Sequence, residues 1–287
     1  MLVWILLGVL FATLAVIAYA IFVERRWYRL VRYRLDILPG GAPEELTVLH
    51  LSDLHMTKGD RKKRSFLAAL PVADVVVITG DIIGEPEAVE AVVEALRPVR
   101  GRRASLFVLG SNDLYAPRPT NPLRYLFPKR RHRRRPKTRG RGGDLVRLLQ
   151  ADGWVLIRNR KYRVDGVPVE IVGLDDPHIH RSDLRAAART EDGVGLAVVH
   201  SPDPGPELVA LGYQLVVAGH THGGQVNLPF VGALVTNSSI PPRMARGLFR
   251  LGPGFLHVSP GLGTSKFAPF RLFCPPEATL LDLRPKA

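Results

Sequence analysis

The sequence predicts an α/β fold, a four-layer α/β/β/α sandwich of two mixed sheets behind an N-terminal transmembrane helix. Three observations carry this expectation. Residues Leu2 to Val23 contain no charged side chain. Five short apolar runs, Thr47–Leu51, Val75–Thr79, Leu106–Leu109, Leu196–Val199 and Leu215–Ala218, each end at a polar cluster. Helical patterns separate the early runs, whereas the second half turns to short strands and Gly/Pro turns, so the layers are α/β throughout with helices outside.

The apolar N-terminus is long enough as a helix to cross ~30 Å of hydrocarbon. The competing reading, a cleaved signal peptide, needs a basic n-region, and no Lys or Arg precedes the run; Ala18-Tyr19-Ala20 nonetheless has cleavage-site spacing. Arg25, Arg26, Arg29, Arg32 and Arg34 follow the span. The positive-inside bias then places the rest of the chain in the cytoplasm, anchored to the membrane by a single pass. Trp27 and Tyr28 fall where an interfacial aromatic belt would lie. Residues 1–23 are thus read as anchor, 24–45 as a basic juxtamembrane linker, and 46–287 as the main folded domain with a basic insertion over 117–143.

Beyond the linker, Thr47–Leu51 opens the domain as a strand. Arg64–Leu70 and Glu87–Arg97 read as amphipathic helices, the second with Glu90, Glu94 and Arg97 outward and Val89, Val92, Val93 and Leu96 inward. Asp144–Gln150 reads as a short helix with Asp144 as N-cap. Trp154–Ile157 and Val169–Val172 read as strands about a turn at Asp165-Gly166, and Ala278–Leu283 as the last strand. No internal repeat has a fixed period.

Forty-six per cent hydrophobic content over 287 residues allows one large core. The single cysteine, Cys274, excludes a disulfide framework and a Cys-rich zinc site. The net charge of +14 is uneven: ten Lys or Arg and no acid lie between Leu123 and Arg141, among several prolines, and this one stretch supplies most of the excess. It reads either as a solvated loop or as a contact for anionic lipid headgroups, with Leu123, Tyr125, Leu126 and Phe127 as an apolar companion patch. Nucleic-acid binding is the weaker third reading.

The polar clusters after the apolar runs are Asp53-Leu54-His55, Gly80-Asp81, Gly110-Ser111-Asn112-Asp113, His200 and Gly219-His220-Thr221-His222. Strand C-terminal ends are where open α/β sheets place their chemistry. Carboxylate oxygen with imidazole nitrogen suits divalent metals. Singly, His200 could be an ordinary hydrogen-bonded histidine and Asp81 a helix cap; five clusters in one order are not coincidence. His50 and His257 lie inside strands and read as core, and His132 sits in the basic run without partners.

In their order, these clusters resemble the calcineurin-like metallophosphoesterase superfamily, whose blocks are D-x-H, G-D, G-N-H-[DE], a lone His and G-H-x-H. The anchor, the basic flank and Gly261-Leu262-Gly263-Thr264-Ser265 are similar to its membrane-anchored bacterial branch, which includes phosphodiesterases and UDP-2,3-diacylglucosamine hydrolases. The resemblance implies that Asp53, His55 and His222 hold one metal, that Asn112, His200 and His220 hold the other, and that Asp81 bridges them. Two divalent ions (Mn²⁺, Fe²⁺ or Zn²⁺), ~3.5–4 Å apart, would then share a hydroxide that attacks phosphorus in line.

The third block departs from the family's pattern. Either Ser111 takes the place of the family's asparagine and Asn112 that of its histidine, or Asn112 remains the ligand and Asp113 replaces the histidine. Both leave the usual protonating histidine missing. A general acid is worth roughly 10²–10⁴ in rate for an alkoxide leaving group, so a pyrophosphate or activated ester suits the site better than an alkyl ester. Asp113, or His178 in Asp175-Asp176-Pro177-His178-Ile179-His180, is the candidate replacement acid. The expected function is hydrolysis of a phosphodiester or pyrophosphate bond in a lipid-linked or nucleotide-linked substrate. The alternatives are a catalytically decayed metal-binding membrane scaffold and an arginine-rich nucleic-acid-binding protein.

Overall fold

The computed structural model describes residues 1–40, 45–116, 138–190 and 192–286. Its first helix, α1 (Leu2–Ala18), continues through a π-turn and a 3-10 turn as one helix from Leu2 to Arg26, with mean hydropathy 2.6. Only 6% of its apolar window is buried, so it is not a core helix.

Two six-stranded mixed sheets follow. The first contains β1 (Arg29–Leu38), β2 (Leu46–Leu51), β3 (Val75–Ile78), β4 (Ala104–Phe107), β5 (Val155–Leu156) and the C-terminal strand β14 (Glu277–Pro285) in the order β1-β14-β2-β3-β4-β5. Only the β14–β2 pair is antiparallel. The second has the order β12-β13-β9-β8-β7-β6, from β6 (Arg160–Arg163), β7 (Val169–Leu174), β8 (Val194–Val199), β9 (Leu215–Ala218), β12 (Gly247–Leu251) and β13 (Gly254–Val258). A two-stranded hairpin, β10 (Asn227–Leu228) with β11 (Gly232–Ala233), projects beside it.

Alternation along the strands sorts their side chains into layers. In β2, Leu46 and Val48 face the second sheet, while Leu49 and Leu51 face the helices α2 (Arg61–Ala68), α3 (Val89–Leu96) and α5 (Gly142–Ala151). A third apolar layer lies between the second sheet and α6 (Gly205–Ala210). Each fully buried Val or Leu is worth about 1.5–3 kcal/mol, and the central strands of both sheets are buried on both faces. As expected, Glu90, Glu94 and Arg97 face solvent and Val89, Val92, Val93 and Leu96 face inward.

Two local expectations need correction, and a third falls largely outside what the structure describes. The stretch read as a linker is largely strand β1, whose Arg32 and Arg34 lie 3.7 and 3.9 Å from Asp282 of β14. Charge masked it: alternate arginines on an edge strand look like a solvated segment. Asp144 is not an N-cap; α5 starts at Gly142, and Asp144 in its first turn receives the Arg141 guanidinium at 2.8 Å. The basic run over 117–137, including His132, lies outside the described residues. Its end, Arg141, bonds Glu90 at 2.7 Å and so belongs to the folded body.

His50 and His257 are buried core residues, facing one another from the two sheets with Nδ1 atoms 2.9 Å apart. Burial pushes His257 down to about 3, and His50 also well below its ordinary value of 6.5. Both are neutral when folded and protonate more readily when unfolded, so their contribution is complete above pH 6.5 and lost as pH falls from 6.5 towards 3. The thermal midpoint of the detergent-solubilised chain should therefore drop across that window. It should drop less steeply in His257→Gln, by roughly 1.4 kcal/mol per pH unit for the one proton removed; equal slopes would show that this histidine carries none of the effect.

Candidate metal centre

Parallel pairing in register brings the strand ends level: Leu51 of β2 lies opposite Ile78 of β3, and Val199 of β8 opposite Ala218 of β9. The chain leaves each end sharply. Asp53, His55, Asp81, His220 and His222 all have positive φ, between 38° and 69°. Left-handed backbone at a non-glycine residue costs of order 1 kcal/mol or more and persists only where the surroundings over-determine it. Gly110 and Gly219 make the packing possible, because a Cβ there would collide with Asp81 and His200 or with Ser52 and Asp53.

The side chains of Asp53, His55, Asp81 and His222 offer ligand atoms all within 4.8 Å of one another. His55 Nε2 faces His222 Nε2 at 3.2 Å, His55 Nε2 lies 3.5 Å from Asp81 Oδ2, and His222 Nε2 lies 3.7 Å from Asp53 Oδ1. On the other side of Asp81, His200 Nε2 lies 3.9 Å from Oδ1 and 3.2 Å from His220 Nδ1. The remaining ring nitrogens of this second pair face backbone carbonyls, His200 Nδ1 at Thr79 O (2.8 Å) and His220 Nε2 at Asn237 O (3.3 Å). That is the outer-shell contact that directs an imidazole lone pair at a metal. Asp81 therefore presents one carboxylate oxygen to each histidine pair. Asn112 lies against it, its backbone N–H donating to Oδ1 at 2.8 Å and its amide touching Oδ2 at 2.5 Å.

The charges call for a cation. Asp53 is fully buried and its Oδ1 has no hydrogen-bond partner. Burial raises its pKa, whereas Asp81, although burial opposes it, is held well below the usual carboxylate range by His200 and His55. Burial drives His55 down to about 3 and lowers His222, while His200, against the same burial, rises to about 9 through Asp81, Asp176 and Asp53. Clustered carboxylates taken out of water are strongly disfavoured unless a positive charge joins them. A proton on His200 supplies part of it; hard oxygen and imidazole donors together fit divalent metal.

A model of the calcineurin-like phosphoesterase family matches residues 46–224. The chain belongs to this family. An uncharacterized metallophosphoesterase of Bacillus subtilis, YkuE, is 29% identical over 82% of this chain and 76% of its own length. The phosphodiesterase YaeI of Escherichia coli is 25% identical over 95% of this chain and 94% of its own. The UDP-2,3-diacylglucosamine pyrophosphatase LpxG of Chlamydia muridarum is 32% identical, over 48% of this chain and 44% of its own. Family members use divalent metals, and the chain is a hydrolase of this class.

The two candidate acids are placed very differently. Asp113 is fully buried behind the centre, its oxygens accepting the N–H groups of Ile82 (2.7 Å), Ile83 (3.1 Å) and Gly110 (2.9 Å). Burial, with the charge of Asp81, raises it to about 7. These bonds tie the loop after β3 to the loop after β4. His178 stacks on His220 with ring centroids 4.5 Å apart, partly open to solvent, with Nε2 3.1 Å from Ser201 Oγ and 3.2 Å from Asp203.

Sequence reasoning missed three contributors. Asp176 was part of an unremarkable polar loop, yet it is fully buried, with an unpartnered Oδ2 3.9 Å from His200 Nε2. Ser52 donates to Asp53 Oδ2 at 2.5 Å and receives Thr79 Oγ1 at 2.6 Å, and Thr79 joins His50 at 3.0 Å, so a buried chain runs from the intersheet core to a ligand. Arg271 is fully buried, its guanidinium bonded to the carbonyls of Pro260 (2.6 Å), Gly263 (2.6 Å) and Cys274 (3.0 Å). Its neighbours in sequence are apolar or aromatic, and an arginine there gives no local signal; the doublet Asp175-Asp176 was the one visible clue.

Asp81→Ala should bind no metal by elemental analysis and show no turnover, because it removes the carboxylate shared by both histidine pairs. Metal retained in the variant would overturn that sharing. Ser52→Ala should keep the fold but weaken metal affinity about 10–100-fold, the usual cost of losing an outer-shell partner, as read by competition with a chromogenic chelator.

Proposed function

We propose that the chain is a membrane-anchored dinuclear phosphoesterase that hydrolyses a phosphodiester or pyrophosphate bond of a lipid-linked or nucleotide-linked substrate. The observation that carries this reading is Asp81, which turns one oxygen to His55 and the other to His200. Asp53, His55 and His222 would hold one ion and Asn112, His200 and His220 the second, with Mn²⁺, Fe²⁺ or Zn²⁺ as candidates. Bound there, two such ions would polarise the phosphoryl oxygens and lower the pKa of water. The helix Leu2–Arg26 supports the anchor, and the arginines after it support a cytoplasmic catalytic domain at the bacterial inner membrane.

The proton for the leaving group is assigned to His178. Its ring borders the second histidine pair, is partly open, and has Asp203 to orient it. Asp203 itself is held well below the usual carboxylate range: burial opposes this, and His178, Ser201 and Ser239 outweigh it.

With Mn²⁺, the full chain should hydrolyse bis(p-nitrophenyl) phosphate, and failure with every divalent metal would favour a metal-binding scaffold. His178→Ala should lower turnover of alkyl phosphodiesters by about 10²–10⁴-fold and affect aryl or pyrophosphate substrates far less. Equal losses for both classes would remove His178 from proton transfer. Asp113→Ala, in contrast, leaves three N–H groups unpaired at about 1–3 kcal/mol each, so it should lower the thermal midpoint rather than change leaving-group preference.

A further inference from the structure

The N-terminal helix is fused to the metal centre rather than tethered to it. It ends at Arg26, and β1 begins at Arg29. Ala20 O accepts the Arg271 N–H at 3.1 Å, buried Glu24 accepts the Cys274 N–H at 2.5 Å, and Arg25 reaches Pro269 O at 3.3 Å. The Arg271 guanidinium grips Gly263 O, and Gly263 N–H donates to Asp53 O at 2.6 Å. Few bonds therefore separate the helix end from a ligand residue. A helix that spans a bilayer ends at the headgroup level, so a body fused to that end is held against the same surface.

Between the helix end and the metal centre lies a pocket of about 140 Å³. Its lining includes His55 of the metal centre together with Arg25, Arg26, Tyr28, Asp60 and Lys266. Its cations are unevenly matched. Lys63 is committed to Leu54 O and Asp60, and Lys266 to Glu85, whereas Arg25 meets only a backbone carbonyl among the bonds described and Arg26 is exposed. A phosphate-bearing group placed there would touch the cationic wall and the His55 edge of the metal centre together.

We propose that this pocket is the subsite for the anionic headgroup of a membrane lipid, with Arg25, Arg26 and Lys266 as its charged wall and the acyl chains left in the bilayer. This deepens the phosphoesterase reading and rests on the anchor assigned above: it selects a substrate resident in the membrane over a soluble nucleotide. The anchor then does more than localise the enzyme, since its last turn forms part of the substrate site.

The test uses the full chain in neutral detergent, freed of metal so that binding is read without turnover. Calorimetric titration would compare dihexanoyl-phosphatidylglycerol, dihexanoyl-phosphatidylcholine and glycerol 3-phosphate. The phosphatidylglycerol should bind at least about tenfold more tightly than the phosphatidylcholine, in line with several basic contacts near ~1 kcal/mol each, and more tightly than glycerol 3-phosphate, which has no acyl chains to leave in the micelle. Arg25→Ala/Arg26→Ala should lose about tenfold or more of that affinity. Lys266→Ala, at an exposed position where folding is not at stake, should lose a smaller part. Arg32→Ala/Arg34→Ala, which removes the same charge outside the pocket, should lose none. Equal losses in the two double variants would reduce the effect to bulk charge and overturn the subsite. Glycerol 3-phosphate binding as tightly as the lipid would overturn the membrane source. Absence of ester hydrolysis by the metal-loaded wild type would sink the phosphoesterase reading alone, because lipid binding is measured without metal.

Discussion

Two buried carboxylates that water cannot reach, Asp53 and Asp81, set the terms for everything around them. Isolated anions of this kind are too costly to bury without partners, and the chain surrounds them with four histidines, one amide and a third carboxylate, Asp176. His200 carries the strain of that arrangement: its basicity is raised even though burial works against it. Around them the loops hold left-handed backbone at Asp53, His55, Asp81, His220 and His222, and glycine stands at two places where a side chain would collide with the carboxylates. Strain at a site and stability elsewhere are linked, because three apolar layers hold the strand ends that the loops leave.

Arg271 extends the constraint outward. One buried guanidinium gathers the carbonyls of the Pro260–Gly263 loop and of Cys274, while its backbone N–H holds the N-terminal helix. Burial lowers its pKa, yet an arginine stays charged at any physiological pH. The metal centre and the helix thus share a support, and the position of one fixes the position of the other. A flexible linker would have left the orientation of the site to chance; strand β1 removes that freedom.

The two acids that the sequence offered for the third block part company in space. Asp113, adjacent to Asn112 in sequence, turns its carboxylate into the interior to hold three backbone N–H groups. His178, far away in sequence, comes to rest on His220 because β7, β8 and β9 run parallel side by side and bring their C-terminal ends together. Proximity along the chain was a poor guide to proximity at the site.

The layered fold, the apolar N-terminal helix and the clusters that converge on the centre were legible from sequence, because each depends on a local pattern. Apolar runs ending in polar residues mark strand ends, an uncharged run marks a membrane-length helix, and period and spacing survive without a partner. What could not be read locally were the facts that need two distant segments. The pairing of β1 with β14 hid behind alternating arginines, Asp176 and Arg271 looked ordinary until burial left them no water, and Asp113 and His178 could be told apart only by which side of the strand ends they occupy. Residue types and their order determined that the chain would gather carboxylates and imidazoles. Tertiary packing alone decided which of them are desolvated, which lone pairs stay unpaired, and where the N-terminal helix meets the site, since desolvation and orientation belong to the assembled layers and not to any one segment.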